Sequence, residues 1–129
     1  MTPHSHAVVW IDHREAKVYH LDAHAAVEGK VHAADRHAHL HHKANEVGSG
    51  HAPIDRHFLK SVADSIVDAR SILIVGPGNA RKELADYIAS EAPALSSRIA
   101  AVQAADHPSD GELVALARKF FKANDRMRA

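Results

Sequence analysis

The side chains best equipped for chemistry crowd into one stretch. Residues 36–53 read Arg-His-Ala-His-Leu-His-His-Lys-Ala-Asn-Glu-Val-Gly-Ser-Gly-His-Ala-Pro, and five of the protein's 13 histidines fall within them. Imidazole can ligate a metal, move a proton near neutral pH, pair with phosphate or stack on an unpaired base. In an extended chain His37, His39 and His41 would project from one face, about 7 Å apart, and His51 or His57 would complete a tetrahedral zinc set. No carboxylate is obviously placed among them, and histidine tracts suggest metal by composition alone. A solvated loop that binds metal only adventitiously therefore stands beside the zinc reading, and the expectation is of no resident cofactor. RNA contact is the competing use. Arg36, His37, His39, His41, His42 and Lys43 form a basic, stackable run, followed by Gly48-Ser49-Gly50-His51, whose glycines let backbone approach a partner closely. His51 could serve as a general base, although the sequence shows neither an orienting partner nor oxyanion donors for it.

Other candidates are sparser. Asp12, Asp106 and Asp110 could in principle share magnesium in a nuclease, but Asp12 also suits a hairpin turn and Asp110 the first turn of a helix. Gly76-Pro77-Gly78-Asn79 could hold an anion with Arg81 or Lys82, yet its spacing fits neither a Walker loop nor a dinucleotide fingerprint. A structural turn with Gly78 or Asn79 capping the next helix is the simpler reading. Arg118, Lys119, Lys122, Arg126 and Arg128 gather positive charge where a helix C-terminus favours it, solvated or touching RNA as a secondary contact.

The elements that must carry these residues follow from periodicity. Ala7 to Ile11 is a continuous apolar run, as in a strand buried on both faces. Ala16 to Leu21 partly alternates, with Val18 on the opposite face from Tyr19 and Leu21, so the two runs read as a hairpin around Asp12-His13-Arg14-Glu15. A third strand is expected over 26–34, leading into the histidine-rich loop at 35–53. Pro53 then suits a first helical position, with Asp55 in the first turn. Ile54, Phe58, Val62 and Ile66, flanked by Leu59, Ala63 and Val67, make one apolar helix face. Ser71 to Val75 reads as a buried strand. A helix follows, with Leu84, Ala85, Ile88 and Ala89 inward and Pro93 marking its end. Residues 98–104 give another strand. Ser109 and Glu112 form a capping box for a last helix whose core face is Leu113, Leu116, Ala117, Phe120 and Phe121.

The order β-β-β-α-β-α-β-α predicts an α/β fold: a mixed five-stranded sheet with a leading antiparallel meander, parallel crossovers and helices on its faces. With 129 residues and 46% hydrophobic content, one core suffices, so a single domain over 1–129 is expected. The chain has no cysteine, which excludes disulfides, thiolate metal sites and a cysteine nucleophile. Sixteen basic and sixteen acidic residues cancel, so attraction to nucleic acid must come from local patches. No secretory pattern and no membrane-length apolar run is present, so a cytoplasmic protein without membrane contact is expected.

Several motifs sharpen this order. Val8-Val9-Trp10-Ile11-Asp12, then Glu15-Ala16-Lys17-Val18-Tyr19, then Ile72-Leu73-Ile74-Val75-Gly76-Pro77-Gly78 with Lys82 behind them, run in an order that resembles the central domain of archaeo-eukaryotic peptide chain release factors and Pelota. The chain resembles the small bacterial proteins related to that domain more closely still. The resemblance spans nearly the whole chain and rests on motif order more than on any one motif. It implies a ribonuclease H-like fold, a role beside the translational machinery, and the ribosome, tRNA or rRNA as partner. In that family the loop between third strand and first helix carries Gly-Gly-Gln, which positions water against the peptidyl-tRNA ester. Here Gly48-Ser49-Gly50-His51 stands in its place. The resemblance thus keeps the loop and loses the glutamine, which leaves a non-hydrolytic ribosome-binding module, a hydrolase using His51, a nuclease and a metal-binding protein as the readings to weigh. Stop-codon recognition is not implied, since the flanking recognition domain has no counterpart.

Overall fold

In the computed structural model, residues 6–22, 26–32 and 54–128 are described. The elements run β1 (His6–Ile11), β2 (Glu15–Leu21), β3 (Ala26–His32), α1 (Arg56–Ser65), β4 (Ser71–Gly76), α2 (Ala80–Glu91), α3 (Pro93–Ser96), β5 (Ile99–Ala104) and α4 (Asp110–Arg128). The strands form one mixed sheet in the order β3-β2-β1-β4-β5. β1, β2 and β3 pair antiparallel in sequence, whereas β4 joins β1, and β5 joins β4, in parallel. The α/β class and the meander-then-crossover order expected from sequence are those observed.

The central strands are apolar on both sides because both sides are covered. Val9, Ile11, Val18, Ile72 and Ile74 pack under Phe58, Val62, Leu84, Ile88 and Leu95. Val8, Trp10, Leu73 and Val75, from alternate positions, face Leu113, Ala117 and Phe121 of α4, joined by Tyr19 and Leu21 from β2. The predicted split of Val18 from Tyr19 and Leu21 is therefore real. All six residues of β4 are buried, as a strand needs to be when helices lie over both its faces.

Several boundaries differ from expectation. Asp55 is the N-cap of α1 and accepts a hydrogen bond from the His57 amide, rather than lying in the first turn, and Pro53 falls outside the described residues. A carboxylate one residue before the helix satisfies a free amide directly, which outweighs a weaker dipole interaction inside it. The helix stops at Ser65, so Ile66 is its buried C-cap and Val67 is 49% exposed. In α2, Ala80, Leu84 and Ile88 are the buried residues. Ala89, expected inward, is exposed because residues 80, 84 and 88 already define the narrow buried stripe. Pro93 does not merely end that helix but opens the short α3, where its missing amide costs nothing. Ser109 and Glu112 do form the capping box, each accepting from the other's amide, at 2.8 and 3.1 Å.

Topology fixes which loops share an end of the sheet. β1 and β4 are parallel, Ile11 pairs with Ala16 at the hairpin, and Glu15 pairs with His32 at the end of β3. The C-terminal ends of β1, β3, β4 and β5 therefore lie together, with the starts of α2 and α4 following from the last two. α1 returns the chain to the start of β4 at the opposite end, so it too begins at the first end. The two chain ends flanking residues 33–53 consequently emerge on the same side.

Candidate functional site

That shared end of the sheet is where the described residues converge, and each is committed to a partner. Asp12 Oδ1 accepts from the amides of Arg14 and Glu15 at 2.7 and 2.9 Å, an Asx turn that shapes the β1–β2 hairpin. Trp10, 3% exposed, donates its indole N–H to the Asp106 carbonyl at 2.7 Å, fixing the β5–α4 connection over the end of β1. The His107 ring lies 5.1 Å from it and the Lys17 ammonium 5.7 Å. Lys17 Nζ also reaches Asp110 Oδ1 at 3.2 Å. Asp12 and Asp110 thus have structural work, and no group of three or more metal-ligating side chains forms among the described residues. The structure does not gather Asp12, Asp106 and Asp110 into a magnesium site.

The Gly76-Pro77-Gly78 turn is structural in the way its spacing implied, though not through the cap expected. Gly76 sits directly over the Ile11 carbonyl, where a Cβ would overlap the oxygen. Gly78 has φ +61°, the left-handed region that glycine enters at no steric cost. Asn79 occupies the N-cap position, but its side chain makes no capping hydrogen bond; its carbonyl instead accepts from the Lys82 and Glu83 amides. Arg81 Nη1 turns back onto the carbonyls of Gly76, at 3.2 Å, and Gly78. A guanidinium spent on the turn's own carbonyls is not aimed at an external anion.

Glu83 is the residue that sequence reading missed. Its Oε1 accepts the Ile54 amide at 3.2 Å, and its Oε2 lies 3.6 Å from His13 Nε2, an ion pair whenever that imidazole is protonated. One carboxylate from the first turn of α2 thereby joins the hairpin to the root from which α1 starts. Its partner Ile54 lies 29 residues away, so no local pattern could have revealed it.

Arg36, His37, His39, His41, His42, Lys43, Gly48, Ser49, Gly50 and His51, the candidates for RNA contact, zinc or general-base chemistry, all lie outside the described residues. What the structure supplies is their frame. Of the C-terminal cations, Arg118 is half-buried and donates to the Asp22 carbonyl at 2.9 Å, so it anchors α4 to the end of β2 rather than standing free in solvent. The Lys60 ammonium is held above its ordinary range by a hydrogen bond and the charge of Asp64, an exposed i,i+4 pair on α1.

No protein-family profile matches the sequence, and no curated protein matches it. Solved structures do. Pelota from Archaeoglobus fulgidus superposes over 88% of this chain with a TM-score of 0.63 at 13% identity. The fold is one found within Pelota and its relatives. An archaeal translation termination factor, aRF1, matches over 95% of the chain (TM-score 0.57, 10% identity), and Dom34 from S. cerevisiae over 86% (TM-score 0.57, 12% identity). The resemblance read from the motifs thus holds at the level of the fold. The chain spans only 30%, 39% and 31% of those proteins' lengths, respectively. Among the described residues no helix is long and apolar enough to cross a membrane.

Proposed function

We propose that this chain is a translation-associated module that contacts ribosomal RNA or tRNA through the loop at 35–53, in the manner of a release-factor central domain and with a ribonuclease H-like core. The observation that carries the proposal is the fold shared with Pelota and aRF1, combined with the emergence of both ends of the 33–53 segment on one side of the sheet. Dom34, one of the matching proteins, is described as a translation termination-like factor involved in RNA quality control. In this reading Arg36, His39, His41, His42 and Lys43 meet phosphate and base, while Gly48, Ser49 and Gly50 permit close backbone approach. The module works without a resident cofactor and acts in the cytoplasm.

Hydrolysis is not part of the proposal. The glutamine of the Gly-Gly-Gln motif has no counterpart in Gly48-Ser49-Gly50-His51. Co-sedimentation with ribosomes across a salt series tests the reading: association at low salt should weaken steeply as salt rises, because phosphate contacts release counterions. Absence from the ribosomal fraction even at the lowest salt would sink it. Release of peptide from peptidyl-tRNA should be no faster with the wild type than with His51→Ala. A rate that falls with that substitution would convert the module into an enzyme.

A further inference from the structure

At the opposite end of the sheet, where β4 and β5 begin, a cavity of about 280 Å³ opens at the surface. Its polar lining comes from Arg70, Ser71, Ser97, Arg98 and Asn124. Two of these carry buried polar atoms with no hydrogen-bond partner, the Ser71 hydroxyl and the Asn124 side-chain nitrogen. Ser71 is 6% exposed and opens β4. Strand alternation puts it on the face of Leu73 and Val75, and helical spacing puts Asn124 on the face of Ala117 and Phe121, so both belong to the layer between sheet and α4. The pairing of β4 with β5 shifts register between Ile72 and Leu73, next to this point.

Buried polar atoms are normally satisfied, and two unsatisfied ones lining one cavity call for a common partner. Both can donate a hydrogen bond. Two guanidiniums stand at the same cavity. Arg98 uses one nitrogen on the carbonyls of Val67 and Ala69, which fixes the group in place and leaves its remaining donors. Among the described residues, no aspartate or glutamate lines the cavity. Buried donors beside two guanidiniums describe a receptor for an oxyanion, since Arg pairs with tetrahedral and planar oxyanions through several charge-assisted bonds.

We infer that this cavity binds a phosphate group, with Ser71 and Asn124 donating from its floor and Arg70 and Arg98 supplying charge at its mouth. It lies at the end of the sheet opposite His32, where β3 ends, and needs no activity of residues 33–53. The phosphate comes either from a free phosphorylated molecule or from a nucleic-acid backbone, and the same chemistry serves both.

Thermal unfolding of the full chain in sodium phosphate, against sodium chloride at matched ionic strength, reads the site. Ligand linkage requires a Tm that rises with phosphate concentration in the wild type. Arg70→Gln removes an exposed charge, and Asn124→Asp puts a carboxylate in place of the amide without changing shape. Each should weaken phosphate binding by about tenfold or more. Titration with a ten-nucleotide single-stranded RNA distinguishes the sources: affinity that falls in the same two variants assigns a backbone phosphate, and unchanged affinity assigns a free phosphorylated ligand. A wild-type Tm indifferent to phosphate, with RNA affinity unaltered by both variants, would overturn the proposal and leave a cavity filled by water. A phosphate response that survives in both variants would overturn it equally, by moving the anion elsewhere. Should Asn124→Asp fail to fold, Arg70→Gln still decides.

Discussion

Gly76 shows how a single side chain's absence can decide a local structure. The strand-ending Gly-Pro-Gly was visible in the sequence as a turn, but the reason for the first glycine was not: it is the Ile11 carbonyl of the neighbouring strand, 65 positions earlier, which leaves no room for a Cβ. Gly76→Ala must push β4 away from β1 in a fully buried pair. The expected cost is about 2–4 kcal/mol, readable by urea denaturation, and a loss below about 0.5 kcal/mol would show that the strands yield freely. The same limit applies to Glu83. Its type and helical position were plain, its two partners were not, because a carboxylate's reach across 29 and 70 positions has no periodic signature. Asp12 is the reverse case. Its turn role was legible because the hydrogen bonds run to the next few amides.

Among elements, legibility tracked how much of the signal was local. β1 and β4 announced themselves by unbroken apolar runs, and the faces of β2 by alternation. α4 announced itself by its capping box, so Ser109→Ala should destabilise the protein by about 1 kcal/mol, visible as a lower midpoint in denaturant with an unchanged slope. Equal midpoints would mean that packing of Leu113, Ala117 and Phe121 alone sets the start of the helix. α1 was misjudged at both ends for one reason. The apolar spacing from Ile54 to Val67 continues past the hydrogen-bonded helix, since Ile54 and Ile66 are buried in the same core although they lie on flanking backbone that is not helical. Periodicity reports burial, and burial need not stop where a helix does.

At the scale of the whole molecule, the residues flanking 33–53 and the cavity at Ser71 lie at opposite ends of one sheet. The fold was legible from element order, whereas the residues proposed to touch RNA were legible only as composition, because a stretch without apolar periodicity carries no information about its own geometry. The residues on either side of that stretch lie at the same end of the sheet, and α1 lies against β2 and β3. Replacing residues 36–52 by a short Gly-Ser linker should keep the far-UV circular dichroism and hold Tm within about 5 °C, while abolishing ribosome association. An unfolded product would reveal that these residues belong to the core. Trp10 adds a practical consequence. It is the protein's one tryptophan, and its ring is enclosed beside His107 and Lys17 at the end from which residues 33–53 depart. Intrinsic fluorescence is therefore a built-in reporter of position: an RNA engaging the histidine-bearing end should perturb the emission, and a phosphate entering between Ser71 and Asn124 should leave it unchanged.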